Sequence, residues 1–183
     1  MTALIIAIVV VALVAVWVIG TYNRLVRSRN RVRNAWSHVD VQLKRRYDLV
    51  PNLVETVKGY AAHEASTLNA VIEARNAAQA AGSVDAQAAA EGGLTGALRH
   101  LFALAEAYPD LKASGNYRTL QTQLDEIEGD IAIARQIYND TTLTYNNIVE
   151  TIPTNLVAQL SNFASGAFFE VEDEGRSVPR VDL

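Results

Sequence analysis

Cysteine is absent from the 183 residues. That excludes a disulfide framework, a thiolate metal site and a cysteine nucleophile. Histidine is scarce, with only His38, His63 and His100, far apart along the chain. The HEAST run at 63–67 lacks the second histidine of a zinc helix. No histidine follows a glutamate by three residues, so the Glu-x-x-His pairs of di-iron bundles are missing. No G-x-S-x-G nucleophile elbow occurs. Gly92, Gly93 and Gly96 follow no strand pattern and precede no Lys-Ser/Thr pair, so they make no phosphate-binding fingerprint. The chain therefore nominates no catalytic, cofactor or metal residue and reads as a non-enzyme. Basic residues are also missing before Arg24. A signal peptide begins with a basic stretch and ends in a small-residue cleavage site, whereas this one ends AVWVIGTYN.

What is present is apolar first and basic next. Ala3 to Ile19 carries no charge, and the uncharged stretch extends to Asn23. Twenty helical residues span about 30 Å, the thickness of a bilayer core. Only a helix satisfies its own backbone there. Residues 1–23 thus read as a retained transmembrane anchor. Residues 24–46 then hold eight Lys or Arg and one acid, Asp40. Arg24, Arg27, Arg29, Arg31 and Arg33 follow the span closely, where the positive-inside rule acts. The expected topology is single-pass, N-terminus outside and C-terminus inside. These arginines also suit anionic headgroups. Residues 47–183 hold nineteen acids against eight bases. A nucleic-acid partner is not expected, since an acidic body is repelled by phosphate.

The rest is helical in pattern. Leu25, Val32, Trp36, Val39, Leu43, Val50, Leu53, Val57 and Tyr60 follow three-and-four spacing. Pro51 interrupts this stripe. Two paths are open: a kink at Pro51 with the helix continuing to about Arg75, or a new helix capped by Asp48. The lack of a glycine or loop-rich spacer favours the kink. Arg29, Arg46 and Glu64 fall on the stripe where apolar residues belong. They are candidates for a buried polar network, or for heads that snorkel to water. Residues 77–93, Ala-rich and without large side chains, read as a frayed helix end plus a loop. Leu94 to Tyr108 suggests a short helix stopped by Pro109, and Asn116 a cap for the next. Tyr117, Leu120, Leu124, Ile127, Ile131, Ala134, Tyr138, Thr141, Tyr145, Ile148 and Ile152 keep a sustained heptad. Tyr138-Asn139 and Tyr145-Asn146 recur seven apart within it. A last short helix is expected over 155–163. Phe163, Phe168 and Phe169 then either cap the bundle or form a candidate docking patch.

Several long motifs carry a family resemblance: YNRLVRSRNRVRNAWSHVDVQLKRRYDLVPNLVETVKGYAAHE, LRHLFALAEAYPDLKAS, the Tyr-Asn repeats and GAFFEVEDE. Together they closely resemble the LemA family, over essentially the whole chain from Tyr22. The resemblance implies a bacterial inner-membrane protein with a cytoplasmic antiparallel helical bundle. It supplies no catalytic residues. It points loosely to membrane organisation or stress.

The expected architecture is all-α: an anchor at 1–23, a helical bundle with coiled-coil-like seams at 24–169 and an acidic tail at 170–183. The function expected is a membrane-anchored scaffold. It would self-associate as a homo-oligomer or organise other membrane proteins at the cytoplasmic face. The alternative is a stress-signalling adaptor that binds another membrane protein through the acidic tail or the Phe cluster.

Overall fold

The computed structural model describes residues 1–170; the rest of the acidic tail, 171–183, lies outside them. Among the described residues the secondary structure is helical, with no strand. The helices are α1 (Thr2–Lys58), α2 (Ala65–Gln79), α3 (Val84–Ala105), α4 (Pro109–Ala113), α5 (Gly115–Glu150) and α6 (Thr154–Leu160). They group into two compact units. The first comprises Met1–Asp40 with Ile133–Phe168. The second comprises Val41–Ala132 with Phe169 and Glu170.

The long helix α1 begins as an apolar stretch with side chains exposed throughout, long and apolar enough to cross a membrane. It runs on through the basic block and through Pro51. An interior proline lacks the N–H that would bond the carbonyl four residues back, here that of Tyr47. Arg75 of α2 fills the gap, its Nε donating to the Tyr47 carbonyl at 2.7 Å. The carbonyl that the proline leaves unpaired is thereby satisfied. The expected run to Arg75 is corrected, because α1 stops at Lys58. A turn at Gly59–Tyr60 follows, closed by the Ala61 amide on the Val57 carbonyl at 2.9 Å. A lysine in the last turn followed by glycine is an ordinary helix-stop signal.

The Ala-rich stretch is also corrected. Only residues 80–83 form its connection, and α3 starts at Val84. Ser83 caps it, its side chain accepting from the Ala86 amide at 3.2 Å. Alanine is the best helix former, and the run outweighs the cost of about 1 kcal/mol for each of Gly92 and Gly93. Pro109 does not merely stop a helix but opens α4, where its missing N–H costs nothing. Asn116 lies inside α5 rather than capping it.

In the second unit Val50, Leu53, Val57, Val71, Leu94 and Leu101 build the core, with α2 packed on α3. In the first unit a cluster joins Leu25 of α1, Tyr145, Ile148 and Val149 of α5, Val157 and Ala158 of α6, and Phe163. Most of the α5 heptad is buried, Leu124, Ile131, Tyr138 and Tyr145 included. The seam steps from Thr141 to the fully buried Thr142, and Ile152 is left exposed.

Candidate functional site

Two clusters of polar side chains stand out, one in each unit. In the second unit Arg46 is 2 % exposed, the largest side chain so completely enclosed. Its Nη1 meets Glu91 Oε2 at 3.1 Å and its Nη2 donates to Thr95 Oγ1 at 3.0 Å. Its Nε lies 3.0 Å from Oε1 of the half-exposed Glu128. Two arms of the guanidinium fork are hydrogen-bonded, while Nε makes an ion-pair contact without hydrogen-bond geometry. Glu91 in turn accepts from the Tyr47 hydroxyl and from Gln87 Nε2 at 2.9 Å. Gln87 Nε2 also donates to the Ala78 carbonyl at 3.1 Å. Burial, reinforced by the bond to Glu91, holds the Tyr47 phenol well above the usual tyrosine range. Arg45 adds an exposed ion pair to Asp130 at 3.4 Å.

This corrects the candidate network of Arg29, Arg46 and Glu64. Arg46 is buried and paired, but its carboxylate partners are Glu91 and Glu128. Glu64 is half-buried and precedes α2 as its cap residue, with no side-chain hydrogen bond to the helix. Arg29 belongs to the other unit. The sequence reading missed Tyr47, Gln87, Glu91 and Thr95. Gln87, Glu91 and Thr95 lie four apart on one face of α3, but the first two fall in the Ala-rich stretch that reads as a frayed helix end plus a loop, and only Thr95 in the expected helix.

In the first unit the chain after α6 is an extended strap. The helix closes on Asn162, whose φ of 55° is left-handed. The Asn162 amide donates to the Gln159 carbonyl and the Phe163 amide to the Ala158 carbonyl, at 3.2 and 2.9 Å. That is a Schellman closure, and asparagine tolerates its backbone better than most residues. It delivers Phe163 into the core. There Tyr22 meets the ring edge-on at 5.8 Å and the Arg29 guanidinium lies over it at 4.7 Å. Beyond Phe163 the Tyr-Asn repeats hold the strap to α5. Tyr145 donates to the Ala164 carbonyl and Tyr138 to the Ala167 carbonyl, each at 2.8 Å. Asn146 pairs with the Gly166 backbone twice, donating to its carbonyl at 3.0 Å and accepting from its amide at 2.8 Å. Burial pushes the Tyr145 phenol up, and Arg29 and Arg33 oppose that shift. Trp36 stacks edge-on against Tyr138 at 5.2 Å.

The candidate docking patch is corrected by the same geometry. Phe163 and Phe169 are buried, and only Phe168 is exposed. Of the membrane-proximal arginines, Arg24, Arg27, Arg31 and Arg33 are exposed and Arg29 is half-buried. His38, His63 and His100 are all exposed. Among the described residues no group of three His, Asp or Glu side chains is placed to hold a metal. One cluster ties α1 to α3 around a buried charge, and the other holds the backbone of 164–167 to α5.

Comparison with known proteins gives this architecture its relatives. Protein LemA of Metamycoplasma hominis is 29 % identical, over 90 % of this chain and 74 % of its own length. Magnetosome protein MamQ 2 of Paramagnetospirillum magneticum is 27 % identical, over 84 % of this chain and 66 % of its own. Magnetosome protein MamQ of Magnetospirillum gryphiswaldense is 26 % identical, over 94 % of this chain and 74 % of its own. None of the three is named as an enzyme. A model of the LemA family matches residues 35–183, and with that match the all-α, membrane-associated chain belongs to the LemA family.

Proposed function

We propose that this protein is a non-catalytic scaffold anchored in the bacterial plasma membrane through residues 1–23. Residues 24–169 form its cytoplasmic helical domain and 170–183 an acidic tail. The domain self-associates or gathers partner proteins at the inner face. The observation that carries this reading is α1, a single helix from the apolar stretch to the enclosed Arg46. At about 1.5 Å per residue it needs no linker between anchor and body. Arg24, Arg27, Arg31 and Arg33, exposed directly after the span, favour the N-out orientation. Ile133 and Ile137 favour association: they lie one turn apart on α5 and are both largely exposed.

The test is the native mass of the full-length protein in mild detergent, measured by light scattering across a range of concentrations. A discrete species heavier than one chain is expected. A monomer at every concentration removes self-association, and partner capture by crosslinking in membranes then becomes the form of the scaffold to test.

A further inference from the structure

One side of α6 is occupied, with Val157 and Ala158 buried in the cluster around Leu25 and Phe163. Its other side is bare. Leu156 and Leu160, one turn apart, are 57 % and 86 % exposed, and Ile152 just before the helix is 78 % exposed. The surrounding chain carries no charge from Thr151 to Phe169. Three large aliphatic side chains in such a setting need a cover.

Their place along α1 identifies it. The residues of α1 that meet α6 and the strap run from Tyr22 and Leu25 through Val26 and Arg29 to Val32, and Tyr22 and Leu25 lie nearest the apolar run. Ile19, the last residue of the apolar run, precedes Tyr22 by about 5 Å and Leu25 by about 9 Å at a rise of about 1.5 Å per residue. The headgroup layer on one side of a bilayer is about 5–8 Å deep. The near end of the core that holds α6, at Tyr22 and Leu25, therefore falls where α1 leaves the membrane. Arg24 and Arg27, both exposed, flank that level with charge suited to anionic headgroups.

We infer that α6 rests on the same membrane as the anchor, with Ile152, Leu156 and Leu160 immersed at the boundary between headgroups and acyl chains. The protein then holds the bilayer by a span and by a lateral foot, the arrangement of an interfacial helix with its apolar face in lipid. This inference rests on the membrane-anchored reading above.

The absence of cysteine allows a direct test. Single substitutions Leu156→Cys, Leu160→Cys, Val10→Cys and Ser37→Cys are made in the full chain and spin-labelled. The protein is reconstituted in vesicles of phosphatidylethanolamine and phosphatidylglycerol. Collision with oxygen, which concentrates in lipid, is compared with collision with a water-soluble nickel chelate. Oxygen is expected to dominate at 156 and 160 as at 10, with the order inverted at 37. Oxygen dominance at 10 with chelate dominance at 156 and 160 overturns the inference and leaves the anchor standing. Exclusion of both reagents at 156 and 160, with spin–spin broadening, overturns it in favour of a second copy as the cover. Chelate dominance at 10 removes the anchor and this inference together.

Discussion

Arg46 is an ion with almost no access to water, and its worth lies in its pairing. Removing one member of a buried pair strands the other, at about 3–5 kcal/mol. Arg46→Met should lower stability by that order. Adding Glu91→Leu should recover part of the loss, since it removes the stranded charge but also the acceptor of Tyr47 and Gln87. Thermal unfolding of both variants in detergent checks this; a double variant no better than the single one refutes it. Tyr47 carries a pH signature. The unfolded phenol releases its proton near pH ~10, while the folded one keeps it. Above that pH the unfolded state binds fewer protons, so stability falls as pH rises; below it the contribution is fully present. Tyr47→Phe should therefore reduce the alkaline loss. It should not abolish it, because Tyr117 and Tyr145 are shifted the same way. Urea midpoints at neutral pH and above pH ~10 decide this. Arg46 was legible as a charge on an apolar stripe. Its partner was not, because spacing relates only neighbours on one helix, and Glu91 is one of twenty acids in the chain.

The legibility of each element followed the size of its side chains. The pattern in α5 could be read because large apolar residues keep the beat over ten turns. The start of α3 could not be, because alanines mark no face and the buried face there carries Gln87 and Glu91. Nor could the fate of Pro51, since Arg75 compensates for it from another helix. The strap is the element whose purpose spacing hid most completely. The Tyr-Asn repeat has the period of a seam, yet Tyr138, Tyr145 and Asn146 all bond main-chain atoms of 164–167. The strap also lies close to α5. A Cβ on Gly166 would come within 3.2 Å of Thr142 Cγ2, a fully buried neighbour. Gly166→Ala should loosen the strap at a cost of about 1–3 kcal/mol. Thr142→Ser, which removes that methyl, should restore it in part. Hydrogen exchange over residues 163–168 reports both, and equal protection in wild type and Gly166→Ala contradicts the account.

For the molecule as a whole, the native mass is expected to depend on the open face of α5. Ile133→Glu with Ile137→Glu should shift the species toward one chain while leaving helicity unchanged, if that face joins the copies. The same mass with the glutamates present places the junction elsewhere. The apolar N-terminal helix was legible because the uncharged residues 1–23 admit few structures. The division into two units was not, because neither unit is continuous in sequence. That division sets an order of events at the ribosome. Met1–Asp40 is made first, yet the residues that complete its unit, Ile133–Phe168, arrive last. About 90 residues intervene, or roughly 5–20 s of synthesis. By the end of that interval most of the second unit has been made, while Leu25 and Trp36 still wait for Ile133–Phe168. Until Ile133–Phe168 arrives, the first unit's stretch of α1 has no second helix of its own unit to pack on.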